Sequence, residues 1–593
     1  MVPHLDNLFG SKMKNKTIAI GILLILCALS VISFKDIGKR LTPPAKDTSN
    51  GGLFLPGKFK AVVVVDSLEG RARHIAVNTN GDIYVKLRFP DSIGGNVALR
   101  DTNGDGRADL IKKFADYEDK GPYGTGMRVH KGYLYFSSEE NVYRSKLNPK
   151  SLIPDGPLEL ILHDATAPHE HDAKPLAFDN IGHMYVAFGA PSNACQEQNR
   201  VPGSKGIKGC PLLKQYGGIW QFDEAKPNQV QADGIRYATG MRSVVAMDWN
   251  TADNCLYVVA HGRDDLRLQF PKIFSAWQSA VLPAEEFIKV KKGTDVGWPY
   301  YYYDPIKKKK LLNPEYGGDG IKAGNGAKYA QPIMAFPAHW APNDLFFYTG
   351  DQFPARYKNG AFIAFHGSTN RSPYPQAGFF VCFVPFKNGK PAGQWEIFAD
   401  GFTGKNTVVS VSDAVYRPMG LAMGPDGSLY ISETEEGKIW KISYTGNKVG
   451  FGKAELAKME LRKKLPGFRL PDVLKSDLQT GMLKGGAKIY NTYCANCHQK
   501  NGRGDGNMIP PLSGSEWVTG GKFMEKDLAI RVVLNGLDGP IKVKNHPYNS
   551  AMPKHNFLSD ADIAAVLTYI RNNFGNNSSL VTAAEVKKIR AEK

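Results

Sequence analysis

Cys494 and Cys497, separated by two residues and followed at once by His498, are the side chains whose spacing says most about chemistry. Two thiols at this separation can form thioethers with the vinyl groups on one haem edge. The adjacent imidazole can then ligate the iron, so C-x-x-C-H is the signature of a covalent c-type haem. A zinc site or a thioredoxin-like pair would also use two cysteines. Zinc wants two more ligands at short spacing, and beyond His498 there is no cysteine and only His546 and His555. A second axial ligand is at hand, because Asn549, Ser550, Ala551, Met552 and Pro553 place a thioether just before a segment with helical signals. There Ser559 and Asp562 read as a capping box, and Ile563, Val566, Leu567 and Ile570 repeat at i, i+3, i+4 and i+7. Ligation by His498 and Met552 leaves the iron no open position, the arrangement for electron transfer. Met508 and Met524 compete, but both lie nearer the haem-binding loop and lack the Met-Pro pattern.

The elements that must hold these groups lie in residues 476–593. Gly485 to Tyr490 reads as a short helix leading into the cysteines, and Asn501 to Gly506 with Pro510 and Pro511 as loop. This region resembles a class I cytochrome c, including Val533 to Pro540 before the Met552 loop. The resemblance implies a small all-α domain, one covalent haem c, and a proline carbonyl near the His498 ring N–H.

A second set of reactive side chains lies upstream. Pro168, His169, Glu170, His171 and Asp172 put two imidazoles and two acids in one loop, which could be a metal cluster, a solvated turn or a proton-transfer site. An imidazole titrating near neutrality suits removal of a hydroxyl proton as hydride leaves the carbon. Asp101, Asn103, Asp105, Gly106 and Asp109 resemble the first half of an EF-hand loop, with Lys112 where the twelfth-position Glu would stand. Calcium held by Asp101, Asn103, Asp105 and Asp109 is the expectation, with a plain polar turn as the alternative.

Residues 46–446 carry a repeated hairpin phrase, an alternating strand, a Gly/Asn/Asp turn and a second strand. Tyr84, Tyr135, Tyr185, Tyr257 and Tyr430 mark it, and the spacing of the first three is blade-sized. A mainly β protein follows, a six-bladed β-propeller before the small helical domain; a sandwich is the alternative. A propeller places functional groups on loops at one mouth, and the fold alone names no chemistry.

With those residues in view, the propeller resembles the glucose/sorbosone dehydrogenases, soluble quinoproteins that use pyrroloquinoline quinone (PQQ) with Ca²⁺, and the sorbosone branch is the closer one. The resemblance rests on Pro168 to Asp179; on Tyr237 to Ser243; on His261 to Leu266 and Gly297 to Tyr300; on Pro337 to Pro342 and Ala364 to Arg371; and on Arg417 to Gly420. It implies that His171, with His169 a close rival, takes the anomeric hydroxyl proton and that Arg242 reaches the quinone oxygens. It also implies that Gly262, Arg263 and Asp264 hold the calcium through backbone carbonyls, that His339, Asn370 and Arg371 lie on loops walling the cofactor, and that Arg417 clamps its carboxylates. Ser243 replaces the usual asparagine and Thr369 the usual tryptophan. Any one of these arginines alone would read as a surface salt bridge.

Haem attachment of this kind occurs outside the cytoplasmic membrane. Lys12, Lys14 and Lys16 precede an uncharged apolar run from Thr17 to Phe34, so residues 1–45 read as a signal peptide or a membrane anchor. The expected location is periplasmic or otherwise extracytoplasmic. The net charge of +18 would suit nucleic acid, but export argues against it, and the basic residues are dispersed apart from Lys307 to Lys310. An oxidising compartment permits disulfides, and Cys195 with Cys210 is the best candidate pair. The linker, 447–475, could form a short helix that packs the modules together and keeps the haem within reach of the mouth.

The sequence reads as an enzyme, a PQQ-dependent dehydrogenase of a sugar or alcohol. Electrons would pass through its own haem to an external acceptor: a cytochrome, a copper protein or a membrane carrier. A cytochrome carried on a non-catalytic docking propeller and a calcium-dependent propeller lactonase are the alternatives.

Overall fold

The computed structural model describes residues 48–593 except 92–93, 120, 167–168, 373, 472–484, 520–525, 577 and 593. The leader expected at 1–45 and Met524 lie outside the described residues. Among the described residues no helix is long and apolar enough to cross a membrane.

Alternating strands separated by tight turns cannot bury their apolar faces alone. Here they do so as six sheets, each built on four antiparallel strands and spanning 72–114, 127–163, 176–239, 243–336, 342–399 and 418–444. The sixth blade has only three strands of its own. Phe59–Val65 completes it by pairing with Ile439–Tyr444, Phe59 opposite Tyr444, so the start of the propeller closes the ring. The repeat-marking tyrosines Tyr84, Tyr135, Tyr185, Tyr257 and Tyr430 all lie in second strands and are buried. Tight turns follow the expected chemistry: Lys131 and Gly132, both at positive φ, join His130 to Tyr133 in a two-residue hairpin.

The innermost strands, Ala72–Val77, Met127–His130, Leu176–Phe178, Ser243–Asn250, Pro342–Phe347 and Pro418–Met423, touch one another in sequence around the axis. Because successive strands alternate in direction, the connections entering these strands and those joining second to third strands all open at one end, the mouth. First-to-second and third-to-fourth connections open at the floor. The mouth connection between Phe188 and Gly218 is stapled by a Cys195–Cys210 disulfide.

The helical domain begins with residues 485–489, which run through Tyr490–Cys494 into Ala495–His498. Lys526–Asn535, Asp560–Arg571 and Ala583–Ala591 pack around Ile530, Leu534, Ile563, Leu567, Val586 and Ile589. Ser559 caps the middle one, its hydroxyl accepting from the Asp562 N–H at 3.1 Å and donating to the Asp562 carboxylate at 2.7 Å. A short hairpin, Ile541–Val543 with His546–Tyr548, departs from the expected all-α fold.

Candidate redox sites

His171 enters the mouth on the connection leading into blade three. Its backbone is left-handed, with φ 64°, and it packs on Gly189, where a Cβ would lie 2.2 Å from the His171 carbonyl oxygen. Glycine is therefore required beneath it. The ring Nδ1 lies 2.5 Å from the Ala190 carbonyl oxygen. A carbonyl can only accept, so Nδ1 carries the proton and Nε2 keeps its lone pair. Burial, and then the Arg242 charge, push the imidazolium down to about 3, so the ring is neutral near pH 7. His169, the rival, is turned into its own loop. Its backbone N–H donates to Asp172, its Nδ1 lies 2.6 Å from the Glu170 carbonyl, and its ring meets Tyr216 edge-on.

Arg242 precedes the innermost strand of blade four and is held by three oxygens. Its guanidinium donates to Asn193 Oδ1 at 3.0 Å, Asp264 Oδ2 at 2.8 Å and the Gly262 carbonyl at 2.6 Å. Asp264 also accepts from Asn370 Nδ2 at 2.6 Å, pairs with Arg200 at 3.4 Å and faces His339 Nδ1 at 3.8 Å. Burial alone would raise the Asp264 pKa, but Arg242 and its neighbours outweigh it and hold the carboxyl well below the usual range. Gly240 makes the turn possible: its φ is +77°, and a Cβ would sit 2.3 Å from Asp295 Oδ1. Behind this loop Trp298 donates its indole N–H to the Asn193 carbonyl at 3.0 Å. Ser243 is buried at the first residue of the strand, opposite His261.

In the helical domain Cys494, Cys497, His498 and Met552 line one apolar cleft. His498 Nδ1 donates to the Pro510 carbonyl at 3.0 Å, which leaves Nε2 free to ligate, the same device that prepares His171. Met552 is positioned through its backbone, exchanging hydrogen bonds with Leu537 at 2.7 and 3.0 Å. Met508 is 63% exposed.

Residues 55–445 match the family model described as TrAA12-like. The chain belongs to that family. Residues 483–574 match the cytochrome c model. Cytochrome c-552 of Thermus thermophilus is 42% identical over 113 residues, 18% of this chain and 86% of that protein, so the C-terminal region belongs to the cytochromes c and binds haem c. The cytochrome c subunit of a Gluconobacter oxydans quinone alcohol dehydrogenase is 35% identical over 112 residues, 18% of this chain and 23% of that subunit. Two solved structures share the propeller fold. The pyranose dehydrogenase PQQ domain of Coprinopsis cinerea superposes with a TM-score of 0.53 at 17% identity, covering 66% of this chain and 97% of that one. A Trichoderma reesei AA12 structure does so at 0.52 and 18%, with 66% and 97% covered. Both matches agree with the resemblances read from sequence.

In this TrAA12-like propeller the first blade brings Arg71, Arg73 and Arg88, which sequence reasoning missed, to the expected Arg417 of the last blade. Arg71, Arg88 and Arg417 surround Glu435 at 3.4, 3.8 and 3.4 Å, and Arg73 stands beside them. Burial, then repulsion from Arg88, lowers Arg73 to about 9, and burial lowers Arg371 to about 10. Arg73 Nε, Arg242 Nε, and Arg371 Nε and Nη1 are buried without hydrogen-bond partners. Buried cations short of counter-charge are costly, and a planar polycarboxylate quinone would answer them, so these residues fit the expected cofactor. The missed signal for Arg73 was the repeat itself, since it stands next to the first residue of an innermost strand, as the expected Arg242 and Arg417 do.

Other expected ligands are placed differently. Arg417 is tied back onto the protein, donating to the His366 carbonyl at 3.1 Å and the Gly367 carbonyl at 2.6 Å. Of the backbone carbonyls expected to hold calcium, that of Gly262 accepts from Arg242 at 2.6 Å and that of Asp264 from Asn193 Nδ2 at 3.0 Å. The Arg263 side chain turns away into a buried pair with Glu315 at 2.5 and 2.6 Å, with Gln269 beside it. Asp101 accepts the Gly104 and Gly106 N–H groups at 2.7 Å, Asp105 the Arg107 N–H at 2.7 Å, and Asp109 both polar groups of Thr102. Among the described residues no three carboxylate, imidazole or thiol side chains converge on one point. The loop of Asp101, Asn103, Asp105 and Asp109 is a hydrogen-bonded polar turn in this structure. Tyr300 packs edge-on against Tyr316, Tyr301 lies against Tyr329, and Tyr302 is buried against Phe274.

Proposed function

We propose that this chain is an extracytoplasmic quinohaemoprotein dehydrogenase that oxidises an aldose or a related sugar or alcohol at the propeller mouth. The observation that carries the reading is a neutral imidazole with a free Nε2, His171, in the field of buried Arg242, whose Nε, like those of Arg73 and Arg371, has no hydrogen-bond partner. Oxidation to a lactone removes two electrons and two protons, one proton from the hydroxyl and the other with the hydride. His171 Nε2 is the acceptor for the hydroxyl proton. Arg242, fixed by Asn193, Gly262 and Asp264, keeps one N–H in reserve for an anionic or carbonyl oxygen, and Arg73 and Arg371 do the same from two other blades. PQQ with Ca²⁺ would supply the two-electron acceptor at this mouth, and the haem a one-electron outlet towards an external acceptor.

The test is the visible spectrum of the oxidised full-length protein, before and after PQQ, Ca²⁺ and a panel of aldoses. Haem reduction that needs both quinone and sugar supports the reading. No reduction with any sugar, in protein that does not bind the quinone, refutes it and leaves a cytochrome on a docking propeller.

A further inference from the structure

The last strand of the propeller, Ile439–Tyr444, is the third of its blade and runs away from the mouth. The chain therefore leaves the ring at the floor, where the Thr445 N–H donates to the Lys58 carbonyl at 2.9 Å beside the start of Phe59–Val65. On the proposed function, electrons are released at the opposite end. The segment that follows reverses this. The Lys453–Arg462 helix starts at the floor, where the Gly57 N–H donates to the Glu455 carbonyl at 2.8 Å, and climbs the edge of blade five. Ten helical residues rise about 15 Å, close to the roughly 17 Å of a five-residue strand.

At the top Arg462 Nε meets buried Asp400 at 2.5 Å, just past Glu396–Ala399, a strand that ends at the mouth. The Arg462 guanidinium also stacks 3.8 Å over Phe54. Met459, Leu465 and Phe468 join the core shared by blades four and five, with Phe468 4.8 Å edge-on to Phe380. The Pro471 carbonyl then accepts the Trp277 indole N–H at 2.8 Å. Trp277 belongs to Ala276–Val281, on the mouth connection of blade four, and Ser279 of the same helix holds His339 at 2.9 Å. The chain is thus handed over at the rim of the catalytic mouth, two contacts from Asp264.

We infer that residues 453–471 form a docked strap whose function is to bring this chain's own cytochrome c domain to the propeller mouth, making that domain the partner of the mouth. Residues 472–484, whatever their path, bridge at most about 45 Å. A tether anchored only at Thr445 would run from 446 to 484 and serve floor and mouth alike, at a lower effective concentration at the mouth. The inference rests on the proposed function for the role of the mouth, but its geometry is tested separately.

The experiment is lysine cross-linking with mass spectrometry on the haem-loaded full chain. Lys488, Lys500 and Lys554 report for the cytochrome domain; Lys205, Lys272 and Lys405 lie on mouth connections and Lys150, Lys226 and Lys292 on floor connections, and all are exposed. The expected result is cross-links predominantly to the mouth set. In R462A/F468A, which releases the strap without touching the mouth residues, the mouth-to-floor ratio should fall at least fivefold. Cross-links mainly to the floor set, or an unchanged ratio in the folded variant, overturn the strap. If the variant does not fold, the wild-type map alone decides. A mouth-directed map in protein whose haem no sugar reduces would refute the dehydrogenase and leave the strap standing, and a floor-directed map in a sugar-reducible protein would do the reverse.

Discussion

Replacing His171 by Gln separates proton acceptance from structure. The ring contributes one hydrogen bond, from Nδ1 to the Ala190 carbonyl, and a glutamine amide can make the same donation while offering no basic nitrogen. With that bond kept, the change in packing costs about 1 kcal/mol, which shifts the unfolding temperature by a few degrees. Loss of a general base costs about 10²–10⁴ in kcat, or about 3–5 kcal/mol of barrier, with little change in KM. The pH profile carries a second check. Burial and Arg242 hold His171 down at about 3, so its protonation should produce no fall in kcat/KM between pH 8 and 5. Glu285, behind the Arg242 loop, is one group that can titrate there. Burial raises it to about 7 against the pull of the amides it accepts, those of Gly262 at 2.9 Å and Ala341 at 3.3 Å. Above that pH it is ionised and grips both loops, and below it the grip weakens, so any limb near pH 7 should vanish in E285Q. The assay is stopped-flow haem reduction at saturating quinone from pH 4 to 9. A His171→Gln variant retaining more than a tenth of wild-type kcat, or a limb near pH 6.5 that survives E285Q, refutes the reasoning.

Arg263→Ala strands the fully buried Glu315 carboxylate and should cost about 3–5 kcal/mol in urea unfolding, whereas R263M/E315L should recover most of it. Removing the Cys195–Cys210 disulfide, whose cysteines are 15 residues apart, should cost about 3 kcal/mol and loosen the loop bearing Asn193; unfolding in matched C195S/C210S protein measures both. Met552→Leu should lower the haem midpoint potential in a redox titration and let carbon monoxide bind the reduced iron, while M508L should change neither.

The features legible in sequence were those whose signal is contained in a few neighbouring residues. The cysteine spacing, the Ser559 cap and the alternating hairpins with their tyrosines each encode a local geometry, because covalent reach, helix ends and two-residue turns depend on short chain segments. The six-bladed count follows from the length of residues 46–446 set against the blade-sized period of that unit. The candidate site was legible only as an inventory. Nothing in the order His169, Glu170, His171 says which imidazole is held neutral; His169 faces Asp172, which favours its charged form, whereas His171 rests on the Ala190 carbonyl and Gly189, buried beside Arg242.

Sequence alone therefore determined the haem-binding motif, the strand and turn units and the residue types available at the mouth. Only the tertiary structure decided how those residues are used. Ring closure brings Arg71, Arg73 and Arg88 from the first blade against Arg417 and Glu435 from the last. Of the carbonyls expected for calcium, that of Gly262 is turned to Arg242 and that of Asp264 to Asn193, and the Arg263 side chain is drawn into the core by Glu315. The route of the chain from floor to mouth likewise rests on Arg462, Phe468 and Pro471 finding Asp400, Phe380 and Trp277. Each outcome is a choice among partners far apart in the chain, made by burial and hydrogen-bond satisfaction once the ring has closed, and such choices leave no local pattern to read.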